Sequence, residues 1–146
     1  ACIPCGFLLL RDKNWIEEIK VRSKCTHTRF QATLLGTRPG AAAAAAYAVM
    51  HHLGYEGYKR IAEKCMENTR YMADLLKRNE IEYVEPELNL IAIKVKGAAE
   101  VATRLKEAGW YVGFDEESGI IRIVVMPHVS REMINKFVKD LRKVMK

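Results

Sequence analysis

The sequence predicts an α/β (α+β) fold in which a small sheet is covered by helices on one side and preceded by a long helical segment. Apolar residues alternate over residues 90–95 and run through residues 120–126, which is typical of strands. Before, between and after these segments, apolar residues recur every three or four positions, as in amphipathic helices. Hydrophobic residues make up 49% of the 146 residues, which is enough to bury a core.

Composition and charge narrow the function classes. The chain carries 24 Lys and Arg against 18 Asp and Glu, a net charge of +6. Because the basic residues are spread along predicted helices and not clustered with aromatics, we expect no nucleic-acid partner; a basic nucleic-acid binder is the weakest alternative. No apolar run is long enough to span a bilayer, and no targeting segment is visible. We therefore expect a cytoplasmic protein with no membrane partner.

The first 38 residues predict one strand, one short helix and a loop. Residues 7–10 form a continuous apolar run that ends at Arg11, which favours a strand buried on both faces of a mostly parallel sheet. Asn14 is of a residue type that caps helices, and Trp15 and Ile16 follow it. Residues 20–35 are polar and irregular.

The most informative stretch is the loop at residues 35–40, which runs directly into six alanines. Thr37 and Pro39 are typical of a helix start, and such a start leaves N–H groups unpaired. Gly36 and Gly40 lack the Cβ atoms that would keep a phosphate away. The pattern therefore indicates either an anion site or a helix start beside a tight packing contact.

A long helical segment follows this loop. From Gly40 a helix is predicted to run to Leu53, break at Gly54 and continue as a second helix to about Arg78. The second helix carries a stripe at helical spacing, formed by Tyr58, Ile61, Ala62, Cys65, Thr69, Met72, Ala73 and Leu76.

The last third predicts a small α/β layer. A strand at residues 90–95 precedes a helix from Ala98 that stops at Gly109, and residues 110–112 are predicted as a short strand. A turn at residues 117–119 leads into the second clear strand, residues 120–126. Ser130 is placed to cap a final helix, whose apolar positions are Met133, Ile134, Phe137, Val138, Leu141 and Val144.

Arg122 is the most informative charged position. It shares one face of its strand with Ile120, Val124 and Met126, so we expect it among apolar neighbours. A charge in such surroundings needs an anionic partner. Two partners remain open: an Asp or Glu of this chain, or a substrate carboxylate held by the planar guanidinium.

The remaining cysteines and histidines predict no metal site. Cys2, Cys5, Cys25 and His27 lack a second closely spaced ligand pair, so zinc is disfavoured and the thiols are expected to be reduced. Neighbouring helix positions do not share a face, which makes His51 and His52 poor joint ligands. His128 falls in a loop just after the strand that carries Arg122.

Four segments together resemble a known family. They are Ile-Pro-Cys-Gly at residues 3–6, Gln-Ala-Thr-Leu-Leu-Gly-Thr-Arg-Pro-Gly-Ala at 31–41, Gly-Tyr-Glu-Gly-Tyr at 54–58 and Arg-Ile-Val-Val-Met-Pro-His at 122–128. They resemble, in order and over nearly the whole chain, the archaeal pyridoxal-phosphate decarboxylases that act on L-tyrosine or L-aspartate. Sphingosine-phosphate lyase and glutamate decarboxylase are more distantly similar. The resemblance is to the C-terminal part of these fold-type-I enzymes.

The resemblance implies pyridoxal phosphate as cofactor. It also implies that different parts of the chain bind the cofactor and the substrate. Gly36 and Thr37 are implied to contact the cofactor phosphate of a partner subunit, which implies a homodimer. Arg122 is implied to bind the α-carboxylate of the substrate. The family lysine that holds the cofactor as a Schiff base belongs to an Asp-x-His-Lys motif upstream of the match, and no lysine stands in its place here. The chain alone is therefore expected to contain no catalytic residue and to be inactive.

The resemblance also implies a domain division and leaves alternatives. Residues 1–38 would belong to the large cofactor domain and residues 39–146 would form the small C-terminal domain. The family tyrosine of the mobile segment is missing, since residues 21–35 contain none and Cys25 stands near its place. Self-association, or pairing with an N-terminal fragment, is expected. The alternative function is a non-catalytic binding or interaction domain.

Overall fold

The computed structural model describes residues 6–24, 29–33 and 39–145, in two compact units at residues 1–55 and 56–146. None of the helices in these described ranges is long and apolar enough to cross a membrane. The elements in chain order are α1 (Trp15–Glu18), β1 (Val21–Arg22), β2 (Phe30–Gln31), α2 (Gly40–Arg78), β3 (Tyr83–Val84), β4 (Leu90–Lys94), α3 (Ala98–Glu107), β5 (Gly113–Asp115), β6 (Ile120–Val124) and α4 (Arg131–Val144). The domain boundary predicted after residue 38 stays a prediction.

The strand predicted at residues 7–10 is not formed. These residues lie outside any helix or strand, and Phe7, Leu8 and Leu9 are exposed. A strand exists only when a neighbour accepts its backbone hydrogen bonds, and no described segment pairs with this one. The sheet of the first unit is a two-residue antiparallel ladder instead, in which Val21 pairs with Gln31.

The cap predicted for α1 is wrong in its detail. Asn14 precedes the helix as expected, but its backbone is already helical and its side chain makes no capping bond. Asp12, two residues earlier, makes a local turn instead, because its Oδ1 accepts a hydrogen bond from the Asn14 backbone N–H at 2.8 Å.

The predicted break in the long helical segment is confirmed at Gly54. Its φ of 57° and ψ of −173° are non-helical and divide α2 in two. That combination is accessible essentially to glycine alone, so the sequence marks the break correctly. In the second part the stripe through Cys65, Thr69, Met72 and Leu76 is buried, whereas Tyr58 at its start is exposed.

The second unit contains a four-stranded antiparallel sheet in the order β3-β4-β6-β5. The strands predicted at residues 90–95 and 120–126 are confirmed as β4 and β6. The short strand lies at Gly113–Asp115 and not at residues 110–112. Trp110 is drawn away from the sheet, since its backbone N–H donates to Leu105 O at 2.8 Å and its ring packs edge-on against Phe137.

One face of this sheet carries the core. Ile91, Ile93, Ile121 and Val125 point to this face and pack with the second part of α2, with α3 and with α4. The helix residues in this cluster are Met72, Ala73, Leu76, Val101, Leu105, Ile134, Phe137, Val138 and Leu141. Helices on one side of a small sheet are the architecture that the sequence predicts.

The opposite side of the sheet, here called the open face, carries the alternate strand residues. They are Val84, Leu90, Ala92, Lys94, Gly113, Asp115, Ile120, Arg122 and Val124. Val84, Leu90 and Val124 are apolar and yet exposed. The candidate site lies on this face.

The turns around the sheet hold two helix starts in place. Ser130 caps α4 as predicted, because its Oγ accepts from the Met133 N–H at 3.2 Å. The start of α3 has no such cap of its own, since Gly97 precedes it in the left-handed conformation. Glu116, in the turn between β5 and β6, accepts the Ala99 N–H at 2.5 Å and supplies the missing partner.

Candidate functional site

The structure describes one of the three site residues that the sequence predicts. Arg122 lies at the centre of β6, on the open face of the sheet. Gly36 and Thr37 lie outside the described residues, so the predicted phosphate loop stays a prediction. The geometry of the candidate site is therefore that of Arg122 and its neighbours.

A row of small residues surrounds Arg122 across the sheet. Ala92 on β4 and Gly113 on β5 are its direct cross-strand partners, and Val84 on β3 completes the row. Directly opposite residues in an antiparallel pair share a face, and their Cβ atoms lie about 5 Å apart. Arg122 is thus the only long side chain in this row.

The guanidinium of Arg122 lies over the backbone of Gly113. A Cβ atom built on Gly113 would be 3.5 Å from Arg122 Nη2 and 3.6 Å from Nε. The Arg122 side chain therefore extends toward the edge strand β5, where Gly113 has no side chain to occupy the same space.

Arg122 makes no ion pair or hydrogen bond with the described residues. The expected alternative of an Asp or Glu partner from this chain is therefore not found within residues 6–24, 29–33 and 39–145. The side chain is also exposed, not buried as its apolar neighbours led us to expect. Exposure lets water solvate the charge and removes the need for an intrachain partner.

Two carboxylates at this sheet, those of Asp115 and Glu82, have partners other than Arg122. Asp115, two residues along β5 from Gly113, accepts hydrogen bonds from the Ser118 hydroxyl and from its backbone N–H. The Ser118 hydroxyl bond in particular holds the pKa of Asp115 below its ordinary value, so the carboxylate stays charged. Glu82 pairs with Lys94 at 2.6 Å. The open face thus presents one cation that no described acid neutralises.

Of the other candidate histidines and cysteines, the structure describes His51, His52, His128 and Cys65. His51 and His52 are exposed on α2, and His128 is exposed in the loop before α4. Cys65 is a free, buried thiol, and no metal-binding cluster of His, Cys, Asp or Glu occurs among the residues described. Cys2, Cys5, Cys25 and His27 lie outside them.

Sequence reasoning missed the two neighbours that define the surroundings of Arg122. The sequence pattern predicts a strand at residues 110–112, which ends just before Gly113, and it gives no signal at Asp115. Their relation to Arg122 depends on the register of β5 against β6, which pairs Gly113 with Arg122 and Asp115 with Ile120. The tight turn at residues 116–119 fixes that register, and counting back from the turn could have found both residues.

Comparison with known proteins identifies the chain's relatives. No family model matches. The chain is 41% identical over 149 residues to the L-aspartate/L-glutamate decarboxylase of Pyrococcus horikoshii, covering 99% of this chain and 38% of that protein. It is 40% identical over 148 residues to the L-aspartate decarboxylase of Thermococcus kodakarensis, covering 99% and 38%. With a probable L-tyrosine/L-aspartate decarboxylase of Methanosarcina mazei it shares 42% identity over 146 residues, covering 99% and 37%.

Over 99% or more of its length the chain is similar to archaeal proteins named as L-aspartate, L-aspartate/L-glutamate and L-tyrosine/L-aspartate decarboxylases. It spans less than two-fifths of the length of these curated relatives. The resemblance that the sequence motifs show to these decarboxylases is thereby confirmed.

Solved structures confirm the predicted fold class. A sphingosine-1-phosphate lyase from Burkholderia pseudomallei matches with a TM-score of 0.74 at 19% identity, over 92% of this chain and 32% of that one. A glutamate decarboxylase from Lactobacillus brevis matches with a TM-score of 0.66 at 21% identity, over 88% and 33%. These neighbours are fold-type-I enzymes, and the chain has the fold of a portion of them.

Proposed function

We propose that this chain supplies the small domain of a pyridoxal-phosphate-dependent L-amino-acid decarboxylase, in which Arg122 binds the α-carboxylate of the substrate. The observation that carries the proposal is the guanidinium of Arg122 on the open face of the sheet, which pairs with no residue that the structure describes. A guanidinium presents two parallel N–H donors that match a carboxylate. The names of the similar decarboxylases suggest the substrate class, an L-amino acid such as aspartate or tyrosine.

The surroundings of Arg122 favour this role. Val84, Leu90 and Val124 give the open face an apolar character next to the charge. When another part of the enzyme covers such a face, water is excluded and the attraction between guanidinium and carboxylate becomes stronger. Arg122 would then fix the orientation of the substrate relative to the cofactor.

The cofactor would be held largely by residues outside the described ranges. Gly36 and Thr37 are proposed to donate to its phosphate, across a subunit interface, as in enzymes of this fold type. Arg122 fits a site for an amino-acid substrate, because no described acid neutralises its guanidinium, which can then bind the substrate carboxylate. Bound pyridoxal phosphate supplies an electron sink for the electrons released when the carboxylate leaves. The lysine that attaches it is proposed to lie in the portion of the family that this chain does not span, so the 146 residues alone would be inactive.

A chimera tests the proposal. This chain would replace the matching portion of the Thermococcus kodakarensis L-aspartate decarboxylase, to which it is 40% identical. We expect the chimera to release CO2 from L-aspartate or L-tyrosine, and Arg122→Lys to raise KM at least tenfold because a bidentate contact is lost. The matched control is Arg70→Lys, an exposed arginine on α2, which should leave KM unchanged.

Two results would contradict the proposal. One is a folded, cofactor-loaded chimera that decarboxylates neither amino acid. The other is an Arg122→Lys chimera whose KM equals that of Arg70→Lys. A chain that binds pyridoxal phosphate but supports no turnover in the chimera would favour the alternative of a non-catalytic binding domain.

A further inference from the structure

We infer that Gly113 is a positioning residue for Arg122: the bare backbone of β5 provides the surface on which the guanidinium lies, and keeps a competing side chain away from it. This inference rests on the proposed role of Arg122 as the carboxylate-binding residue. It concerns how that arginine is kept extended and unpaired before substrate arrives.

No backbone requirement explains the glycine. The glycines with positive φ among the described residues are Gly54, Gly97, Gly109 and Gly119, and Gly113 is not one of them. A glycine inside a strand is unfavourable, because it orders a flexible residue and contributes no side chain to packing. The reason for a glycine at position 113 must therefore lie in what surrounds it.

The guanidinium of Arg122 lies beside the space above Gly113. Arg122 Nη2 and Nε would lie 3.5 and 3.6 Å from a Cβ atom at this position. A single methyl group would fit in ordinary contact, but any longer side chain on the same face would need the volume that the guanidinium occupies. Gly113 thus selects the sideways conformation of Arg122.

The position also decides whether Arg122 is neutralised. Gly113 and Arg122 are directly opposite, the arrangement in which oppositely charged side chains pair across strands. An acidic residue at 113 would close an ion pair on the open face and compete with a substrate carboxylate. Asp115 does not do so, because Ser118 holds its carboxylate in the turn. Leaving position 113 without a side chain keeps the cation available.

The test compares two variants of nearly equal size. In the chimera described above, Gly113→Asp adds a carboxylate opposite Arg122, and Gly113→Asn adds the same volume without the charge. We expect KM for L-aspartate to be about fivefold higher in the Asp variant than in the Asn variant, the effect of one competing ion pair. The kcat at saturating substrate should differ less than KM, since substrate displaces the intrachain carboxylate.

A second measurement does not depend on turnover. In the 146-residue chain, the NMR signal of the Arg122 Nε–H group reports the surroundings of the guanidinium, and it is assigned by its loss in Arg122→Lys. We expect Gly113→Leu to shift this signal, and Gly113→Ala to shift it much less because its methyl group fits.

The outcomes separate this inference from the proposed function. Equal KM values for the Asp and Asn variants, in a chimera where Arg122→Lys raises KM, would overturn the role of Gly113 alone. An Arg122 Nε–H signal that is identical in the Leu and Ala variants would also overturn it. If Arg122→Lys leaves KM unchanged, the proposed function itself fails.

Discussion

Trp110 and Asp140 are joined by a hydrogen bond from the indole Nε1 to the carboxylate Oδ2, at 3.2 Å. The bond connects the loop after α3 to a half-buried position on α4, 30 residues further along the chain. The same indole ring packs edge-on against Phe137. This pair therefore fastens the last helix to the segment that leads into β5.

Replacing Trp110 with Phe should lower the free energy of unfolding. The variant keeps an aromatic ring beside Phe137 but removes the donor to Asp140, and one such bond contributes about 1 kcal/mol. Urea denaturation of the chain measures the change. In an Asp140→Asn background the same substitution should cost less, because the charged acceptor is already gone, and equal costs in both backgrounds would contradict a coupled pair.

The pH dependence of Asp140 follows from its partners. The Lys143 side chain, at 3.0 Å, and the Trp110 indole lower the pKa of Asp140 below its ordinary value. A carboxylate whose pKa is lower in the folded state stabilises the fold above the unfolded pKa of about 3.9, and this stability is lost as pH falls through the folded pKa. An NMR titration should show Asp140 titrating below ordinary aspartates and should move it upward in Lys143→Ala. An unmoved titration would count against the ion pair.

Ser118 should control the carboxylate nearest to Arg122. In Ser118→Ala, Asp115 loses the hydroxyl bond, the largest cause of its lowered pKa, and keeps the weaker backbone hydrogen bonds from Ser118, at 3.3 Å, and from Glu117. We expect the pKa of Asp115 to rise toward its ordinary value in an NMR titration. We also expect KM of the chimera to increase, because the released carboxylate lies on the same face as Arg122. Ser118→Thr keeps the hydroxyl and serves as the control; an equal increase in that variant would contradict the explanation.

Two leucines test where the core lies. Leu105 on α3 is fully buried, with 0% of its surface exposed, whereas Leu88 in the loop before β4 is 72% exposed. Leu105→Ala should lower the free energy of unfolding by about 3 kcal/mol or more, and Leu88→Ala by less than about 0.5 kcal/mol. Denaturant titrations of both variants give the comparison directly, and similar losses would show that the core has been placed wrongly.

The sequence predicts the core-forming elements well because their patterns are local. Alternation marks β4, helical spacing marks α3 and α4, and Ser130 and Gly54 mark a helix start and a helix break by their own chemistry. Each of these signals lies within one turn or one strand. The sequence does not predict the two-residue strand β3, because so short a segment shows no alternation of apolar and polar residues.

What the sequence does not contain is the pairing between distant segments. The run at residues 7–10 has the composition of a buried strand, but composition does not provide the neighbour that a strand needs. The site shows the same limit. Arg122 stands out by its apolar neighbours in sequence, whereas its exposure and its contact with Gly113 follow from the sheet register.

The carboxylate of Glu116 at the start of α3 has a consequence for the order of folding. Its bond to the Ala99 N–H joins residues 17 apart in sequence, so it can form only after the turn between β5 and β6 is in place. We therefore expect the first turn of α3 to become stable late, after the strands have paired. In stopped-flow experiments Glu116→Ala should speed unfolding more than it slows folding, as expected for a contact absent from the transition state.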